Sequence, residues 1–174
     1  MHILPTTLPG TFIIEAPKHS DARGYLVRTY CRNFFEGNGL HTTWSQSCIT
    51  SSPVEGTLRG MHYQAQPHAE VKLIRCVTGK VWDCLVDLRT DSPTYLQWES
   101  FELSEQNDRS LYVPEGIAHG FLTLTPDVRM HYSMSRPYAP DSVAGVLWND
   151  PALSIAWPNP PMLVAEKDNA WPPL

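Results

Sequence analysis

The sequence predicts an all-β domain built as an antiparallel sandwich or barrel, of which a jelly roll is one kind. Three observations lead there. Short segments rich in Val, Ile, Leu, Tyr and Trp recur along the chain, bounded by Gly, Pro, Asp, Asn or Ser. The 174 residues include 16 prolines and 10 glycines, punctuation that long helices tolerate badly and short strands tolerate well. One segment also alternates explicitly, with Trp82, Cys84, Val86 and Leu88 against Asp83, Asp87 and Arg89, which gives an apolar and a more polar face.

Taken in chain order, the first predicted strand covers residues 11–14, Thr-Phe-Ile-Ile. Residues 32–37 form the only segment that reads as a helix, ended by Asn38-Gly39. His62 enters a strand with Tyr63 and Gln64. Residues 71–77 and 81–88 read as strands joined by Thr78-Gly79-Lys80, a hairpin loop with glycine where a positive φ is needed. Further strands are predicted over 95–103, 110–113, 120–124 and 128–134. The last 25 residues are rich in proline and are expected to wrap the outside.

The length fits one domain, residues 1–174, with enough chain to bury a sizeable core. Thirteen Lys and Arg against 18 Asp and Glu leave a net charge of −5 without basic clusters, which argues against a nucleic-acid partner. No apolar run approaches the roughly 20 residues of a membrane span. Met1-His2-Ile3-Leu4-Pro5 does not read as a secretory signal. The cysteines at 31, 48, 76 and 84 include no close pair of the kind that binds zinc. Cys76 and Cys84 lie in apolar runs and read as buried thiols, consistent with a reducing cytoplasm.

Several polar residues interrupt the apolar pattern. Lys72 shares a strand face with Ile74 and Cys76, where an unpaired ammonium is costly, so it needs a partner or a function. His119 follows Pro114-Glu115-Gly116-Ile117-Ala118, a turn expected to aim the imidazole at a strand mouth. Tyr132 alternates with Val128, Met130 and Met134 and points inward, whereas His131 is expected on the surface. Each alone reads as a core side chain with its hydrogen bond satisfied. Together with His62 they set a base candidate, a cation and a phenolic acid on the inner face of one small barrel. That combination suits proton abstraction next to a carbonyl.

The chain resembles the dTDP-4-dehydrorhamnose 3,5-epimerase family. The resemblance rests on Asp21-Ala22-Arg23-Gly24, Leu58-Arg59-Gly60-Met61-His62-Tyr63-Gln64, Lys72-Leu73-Ile74-Arg75, Val86-Asp87-Leu88-Arg89 with Ser92-Pro93-Thr94, and the Pro114 to Phe121 run. Trp148-Asn149-Asp150-Pro151, Ile155-Ala156-Trp157-Pro158 and Glu166-Lys167-Asp168 continue it to the C-terminal region. It implies a cupin-type jelly roll with a few short peripheral helices. It also implies a homodimer whose N-terminal segment completes the partner's site, working without metal or organic cofactor.

The substrate implied is a nucleotide-diphosphate-linked 4-keto-6-deoxyhexose, whose ketone acidifies the protons on both flanking carbons. By resemblance His62 is the base, Asp168 supports its imidazolium, Lys72 stabilises the enolate oxygen and Tyr132 returns a proton from the opposite face. An unperturbed imidazole titrates near ~6.5, which suits a base working at neutral pH. Arg23, Gln46, Arg59, His119, Tyr138 and Lys167 match substrate-binding positions, with Lys72 counted among them and the cations serving the diphosphate. For Arg23 and Arg59 the plainer alternative is a surface ion pair.

The departures fall on the nucleotide side. Gln46-Ser47-Cys48 stands where the family usually has Gln-Asp-Asn, and one residue is inserted before Arg59. Leu26 and Arg28 replace an aromatic and an acidic residue that help hold the nucleotide base from the neighbouring subunit, and Val143 replaces a glutamate. Arg28 is a donor in place of an acceptor, so the expectation is an altered or loosely read nucleotide.

Within the family, an epimerase that inverts one centre, C3 or C5, on another nucleotide sugar is the alternative. A metal-dependent cupin oxygenase or isomerase is a second reading, with His62, Glu70 and His119 as ligands. Gln64, however, stands where a second histidine is usual, and an amide is a poor transition-metal ligand. A non-catalytic sugar-nucleotide module is a third; it needs no inward-facing Lys72 and Tyr132.

Overall fold

Fourteen strands and one short helix make up the computed structural model, which describes residues 1–174. They run β1 (His2–Pro5), β2 (Phe12–Glu15), β3 (Lys18–Asp21), β4 (Gly24–Val27), α1 (Arg32–Gly37), β5 (Gln46–Ser52), β6 (Thr57–Gln64) and β7 (Lys72–Thr78). Then come β8 (Lys80–Asp87), β9 (Trp98–Ser104), β10 (Ser110–Val113), β11 (Ile117–Thr123), β12 (Val128–Met134), β13 (Val143–Gly145) and β14 (Leu163–Val164). Single 3-10 turns cover Pro140–Ser142 and Glu166–Asn169.

One sheet has the order β1-β2-β10-β7-β12-β5, and the other β13-β6-β11-β8-β9. Every pair is antiparallel except β14, which runs parallel to β6. The β3–β4 ribbon forms a separate two-stranded sheet. This is the cupin-type jelly-roll sandwich that the sequence predicts.

The inner faces meet in one apolar cluster. It takes Ile74 and Cys76 from β7, Val81 and Leu85 from β8, Ile117 and Phe121 from β11, and Val128 and Met130 from β12. Burying each such aliphatic side chain contributes about 1.5–3 kcal/mol. The period-2 alternation that fills this layer also carries polar groups into it. Asp83 falls between Val81 and Leu85, and His119 between Ile117 and Phe121. Lys72 lies two residues before Ile74, and Tyr132 two after Met130. The site is therefore a continuation of the core.

The more polar face of β8 turns out to be an inner face. Asp83 and Asp87 are fully buried, while Trp82 on the other side packs at 4.9 Å, centroid to centroid, against Trp157. Both faces of β8 are covered, because Val146, Leu153 and Trp157 from the C-terminal part of the chain roof the outer face of the second sheet. His119 likewise sits within β11, buried, rather than at a strand mouth. His131 is half-buried beside Arg75 instead of lying on the surface, and burial then this guanidinium lower its pKa.

Other differences have local causes. The ribbon strands β3 and β4 read Lys-His-Ser-Asp and Gly-Tyr-Leu-Val and are nearly all exposed, so they carry no buried face for a pattern to show. β5 reads Gln-Ser-Cys-Ile-Thr-Ser-Ser, with little apolar signal. β6 starts at Thr57, five residues before His62, and passes through Gly60 at φ +136. A Cβ there would lie 2.5 Å from Gly120 Cα, at a register shift between β6 and β11. β9 starts at Trp98 rather than at 95, after a turn in which Leu96 takes φ +63. Gly79 has φ +76, as the hairpin requires.

Candidate active site

A cavity of about 510 Å³ opens between the two sheets. Its walls include Cys48 and Thr50 from β5, Arg59 and His62 from β6, Lys72 from β7, His119 and Phe121 from β11, and Tyr132 and Met134 from β12. The C-terminal segment closes one side with Leu163, Ala165, Lys167 and Asp168. A second lobe of about 420 Å³ shares His62, Lys72, Tyr138 and Lys167 and adds Gln46, Val143 and Trp171.

His62 Nε2 lies 2.7 Å from Asp168 Oδ1. The other oxygen of Asp168 accepts the Gly60 amide at 3.2 Å, so the carboxylate is anchored to the strand that carries the histidine. An ionised carboxylate only accepts, which places the shared proton on Nε2 and leaves Nδ1 as the basic nitrogen. Burial works to raise the Asp168 carboxyl, but the His62 hydrogen bond and charge and the Gly60 amide outweigh it and bring it below its ordinary value. The tail covers the outside of the second sheet and also enters the site. β14 pairs with β6, and the turn after it inserts Asp168, 1% exposed, into the cavity wall.

Lys72 has found its partner. Its Nζ is 3.5 Å from Glu70 Oε1 and 3.4 Å from the His62 carbonyl oxygen. Burial lowers the ammonium from its ordinary value and Glu70 opposes the shift. Burial raises Glu70 in turn, against the pull of Lys72. Tyr132 comes from the sheet opposite His62. Burial first, and the Asp83 charge second, push its phenol well above the ordinary range, so it carries its proton at neutral pH.

His119 is the direct cross-strand partner of His62. Its Nε2 lies 2.7 Å from Asp83 Oδ2, and its ring stands edge-on to Tyr132 with centroids 5.9 Å apart. Two imidazoles on neighbouring strands thus each carry their own carboxylate. Arg59 is not in a surface ion pair. It donates from Nε to Ser52 Oγ and from Nη2 to the Ser51 carbonyl, each at 3.0 Å, which leaves its charge for an anion. Tyr138 and Lys167 are exposed at the rim of both lobes, and Gln46 lines the second.

Two of the expected binding residues lie elsewhere in the single chain. Arg23, in the β3–β4 turn, is 90% exposed and paired with Asp21. Arg28 borders a small separate hollow with Met1, His19 and Leu26. Neither arginine lines the cavity of its own chain. The alternative ligand set of His62, Glu70 and His119 is not assembled either. Both Nε2 atoms are committed to carboxylates and Glu70 to Lys72. No group of three or more His, Cys, Asp or Glu side chains is placed to hold a metal ion.

The sequence reading missed Asp83 as a site residue. The signal was present, since Asp83 alternates with Val81 and Leu85 as regularly as with Trp82 and Cys84, but only the fold shows that both faces of β8 are covered. It also missed Trp171, whose ring lies 6.1 Å from that of His62, centroid to centroid. Cys48, the cross-strand partner of Tyr132, entered the reading only as part of an altered motif. The assembled groups are a supported base, a buried cation, a protonated phenol on the opposite wall and a guanidinium with no carboxylate partner. They are equipped to take a proton beside a carbonyl, hold the resulting enolate and return a proton from the other side.

The profile of the dTDP-4-dehydrorhamnose 3,5-epimerase family matches residues 5–174. The chain is 40% identical to a dTDP-4-dehydrorhamnose 3,5-epimerase of Sinorhizobium fredii, over all of this chain and 90% of that one. It superposes on the Bacillus anthracis dTDP-4-dehydrorhamnose 3,5-epimerase crystallised with TDP and PPi at a TM-score of 0.95, with 38% identity and 99% of each chain covered. A 3'-monoepimerase from Streptomyces bikiniensis, in complex with dTDP-quinovose, gives a TM-score of 0.91 at 32% identity, covering 98% of this chain and 86% of that one.

Proposed function

The chain belongs to the dTDP-4-dehydrorhamnose 3,5-epimerase family, and from that premise we propose how its own residues carry the reaction. The activity is that of an isomerase, an epimerase of a nucleotide-linked 4-keto-6-deoxyhexose: dTDP-4-dehydro-6-deoxy-D-glucose is converted to dTDP-4-dehydro-L-rhamnose. His62 Nδ1 takes the proton from a carbon next to the ketone, and Asp168 holds the imidazolium that forms. Lys72 meets the oxygen on which the enolate charge collects. A preorganised donor of this kind typically contributes about 3 kcal/mol at the barrier. Tyr132 then delivers a proton to the same carbon from the opposite side, and the centre is inverted.

One observation carries this reading. His62 belongs to β6 and Tyr132 to β12, strands of the two facing sheets, and both line the same cavity as Lys72. A flat enolate held there has its base on one face and its acid on the other, the arrangement inversion demands. His119, Arg59 and Lys167 serve the anionic part of the substrate, with Tyr138 and Gln46 at the rim.

The active form is a homodimer in which Arg23 and Arg28 of one chain reach the partner's cavity. The exposure of the β3–β4 ribbon, with Tyr25 54% and Leu26 64% exposed, supports this, as does the distance of both arginines from their own site. Residues 1–174 act as one domain. No helix is long and apolar enough to cross a membrane, and the buried free thiols Cys76 and Cys84 fit a cytoplasmic setting. Arg28 and Val143 favour loose reading of the nucleotide base.

The test is incubation with dTDP-4-keto-6-deoxyglucose in deuterated water, with the sugar protons followed by NMR. Exchange at C3 and C5 is expected. Exchange at one carbon would make the protein a monofunctional epimerase, and none at either would overturn the reading.

A further inference from the structure

Asp83 is a buried acidic group behind His119 to which the proposed reaction gives no task. β8 delivers it, fully buried, into the apolar layer between Val81 and Leu85. One carboxylate oxygen holds His119 Nε2 at 2.7 Å. The other is buried and has no hydrogen-bond partner. A buried polar atom left unpaired destabilises a fold by about 1–3 kcal/mol, and apolar side chains commonly replace buried charges with no loss of stability. Stability therefore does not explain an aspartate here. Its surroundings do, because it holds His119, whose ring stands edge-on to Tyr132, and its charge also acts on Lys72.

We propose that Asp83 is a positioning residue for the epimerisation, which fixes the His119 ring edge-on to Tyr132 with Nδ1 left to meet the substrate. With Nε2 committed to Asp83, the orientation of the imidazole no longer depends on the ligand. Tyr132 is faced by Asp83 from β8, Arg59 from β6, Thr50 from β5, Cys76 from β7 and His119 from β11. Lys72 and Glu70 share its cavity. Among these, the Asp83 charge is the one that, after burial, does most to hold the phenol above its ordinary value, while Arg59 acts against it.

The inference rests on Tyr132 being the acid, so isotope exchange by the unaltered enzyme is measured first; its failure would sink that reading and not this one alone. The decisive variant is Asp83→Asn, which keeps the shape and removes the charge. Its kcat is expected to fall about tenfold or more, and the alkaline limb of its pH profile to move to lower pH, because Lys72 and Tyr132 each lose a negative neighbour. His119→Gln and the Asp83→Asn/His119→Gln double variant should have kcat values within about twofold of each other. An alkaline limb that stays in place, or effects that multiply, would overturn the proposal, since a purely structural role lowers the melting temperature without moving the limb. In the unaltered protein, nitrogen NMR should find the His119 proton on Nε2. A ring protonated only on Nδ1 overturns the proposal whether or not the variant folds.

Discussion

His62 Nε2 and Asp168 Oδ1 meet at 2.7 Å although 106 residues separate them. The contact joins the middle of β6 to a 3-10 turn in the C-terminal tail, and the Gly60 amide locks the carboxylate from the other side. Asp168→Asn keeps the shape but is expected to lower kcat by roughly 10²-fold or more, because the histidine loses both its tautomer lock and its counter-charge. The stability effect has a defined sign. The folded carboxyl lies below its ordinary 3.8, so its contribution is complete above that value and is lost as pH falls through the folded value. Melting curves of the two proteins should differ at neutral pH and converge in acid.

Lys72 and Glu70 form a buried pair in which burial works against both charges. Replacing both, as in Glu70→Gln/Lys72→Met, is expected to leave the melting temperature unchanged or higher. The same change should reduce kcat by roughly 10²- to 10³-fold, since the enolate oxygen loses its preformed donor. Steady-state kinetics and calorimetry on one preparation check both halves.

The proposed dimer predicts complementation between subunits. Arg23→Ala and His62→Asn should each be nearly inactive alone. Mixed and allowed to exchange, they form heterodimers with one site whose His62 and Arg23 are both native. Random pairing then returns about a quarter of the unaltered activity. No recovery on verified exchange would mean that each chain completes its own site.

Gly60 allows the closest approach between β6 and β11, with Gly120 Cα 2.5 Å from where its Cβ would stand and φ at +136. Gly60→Ala is expected to destabilise by about 2–4 kcal/mol through overpacking plus backbone strain. Because His62 and Asp168 both hang on this point, kcat should fall as well. Denaturant unfolding with parallel assays gives both numbers.

Val143 lines the second lobe, and Arg28 presents a donor from the proposed partner. Turnover of the dTDP sugar and of its CDP and GDP analogues should therefore agree to within about tenfold, a free-energy difference near 1.4 kcal/mol. A strict preference for dTDP would show that the base is held by other groups.

Much of this was legible in the chain because a sandwich writes its core in period 2. The strands at β2, β7, β8, β10 and β12 stand out, and with them Lys72 and Tyr132, polar residues on an apolar face. Among the strands that escaped, β3, β4 and β5 bury almost nothing, so no alternation marks them. The resemblance supplied Asp168 and Arg59, which no local pattern singles out.

What the sequence alone determined is the class of fold and the strands that carry His62, Lys72 and Tyr132, the residues to which the proposal gives the base, cation and acid. Those follow from side-chain type and alternation, which are properties of short stretches. Only the tertiary structure decided which carboxylate serves which imidazole, since the Asp168–His62 and Asp83–His119 contacts span 106 and 36 residues. It also decided that β8 is covered on both faces and that Arg23 lies away from its own cavity. Pairings at such separations depend on how whole sheets face one another, and no local pattern records that.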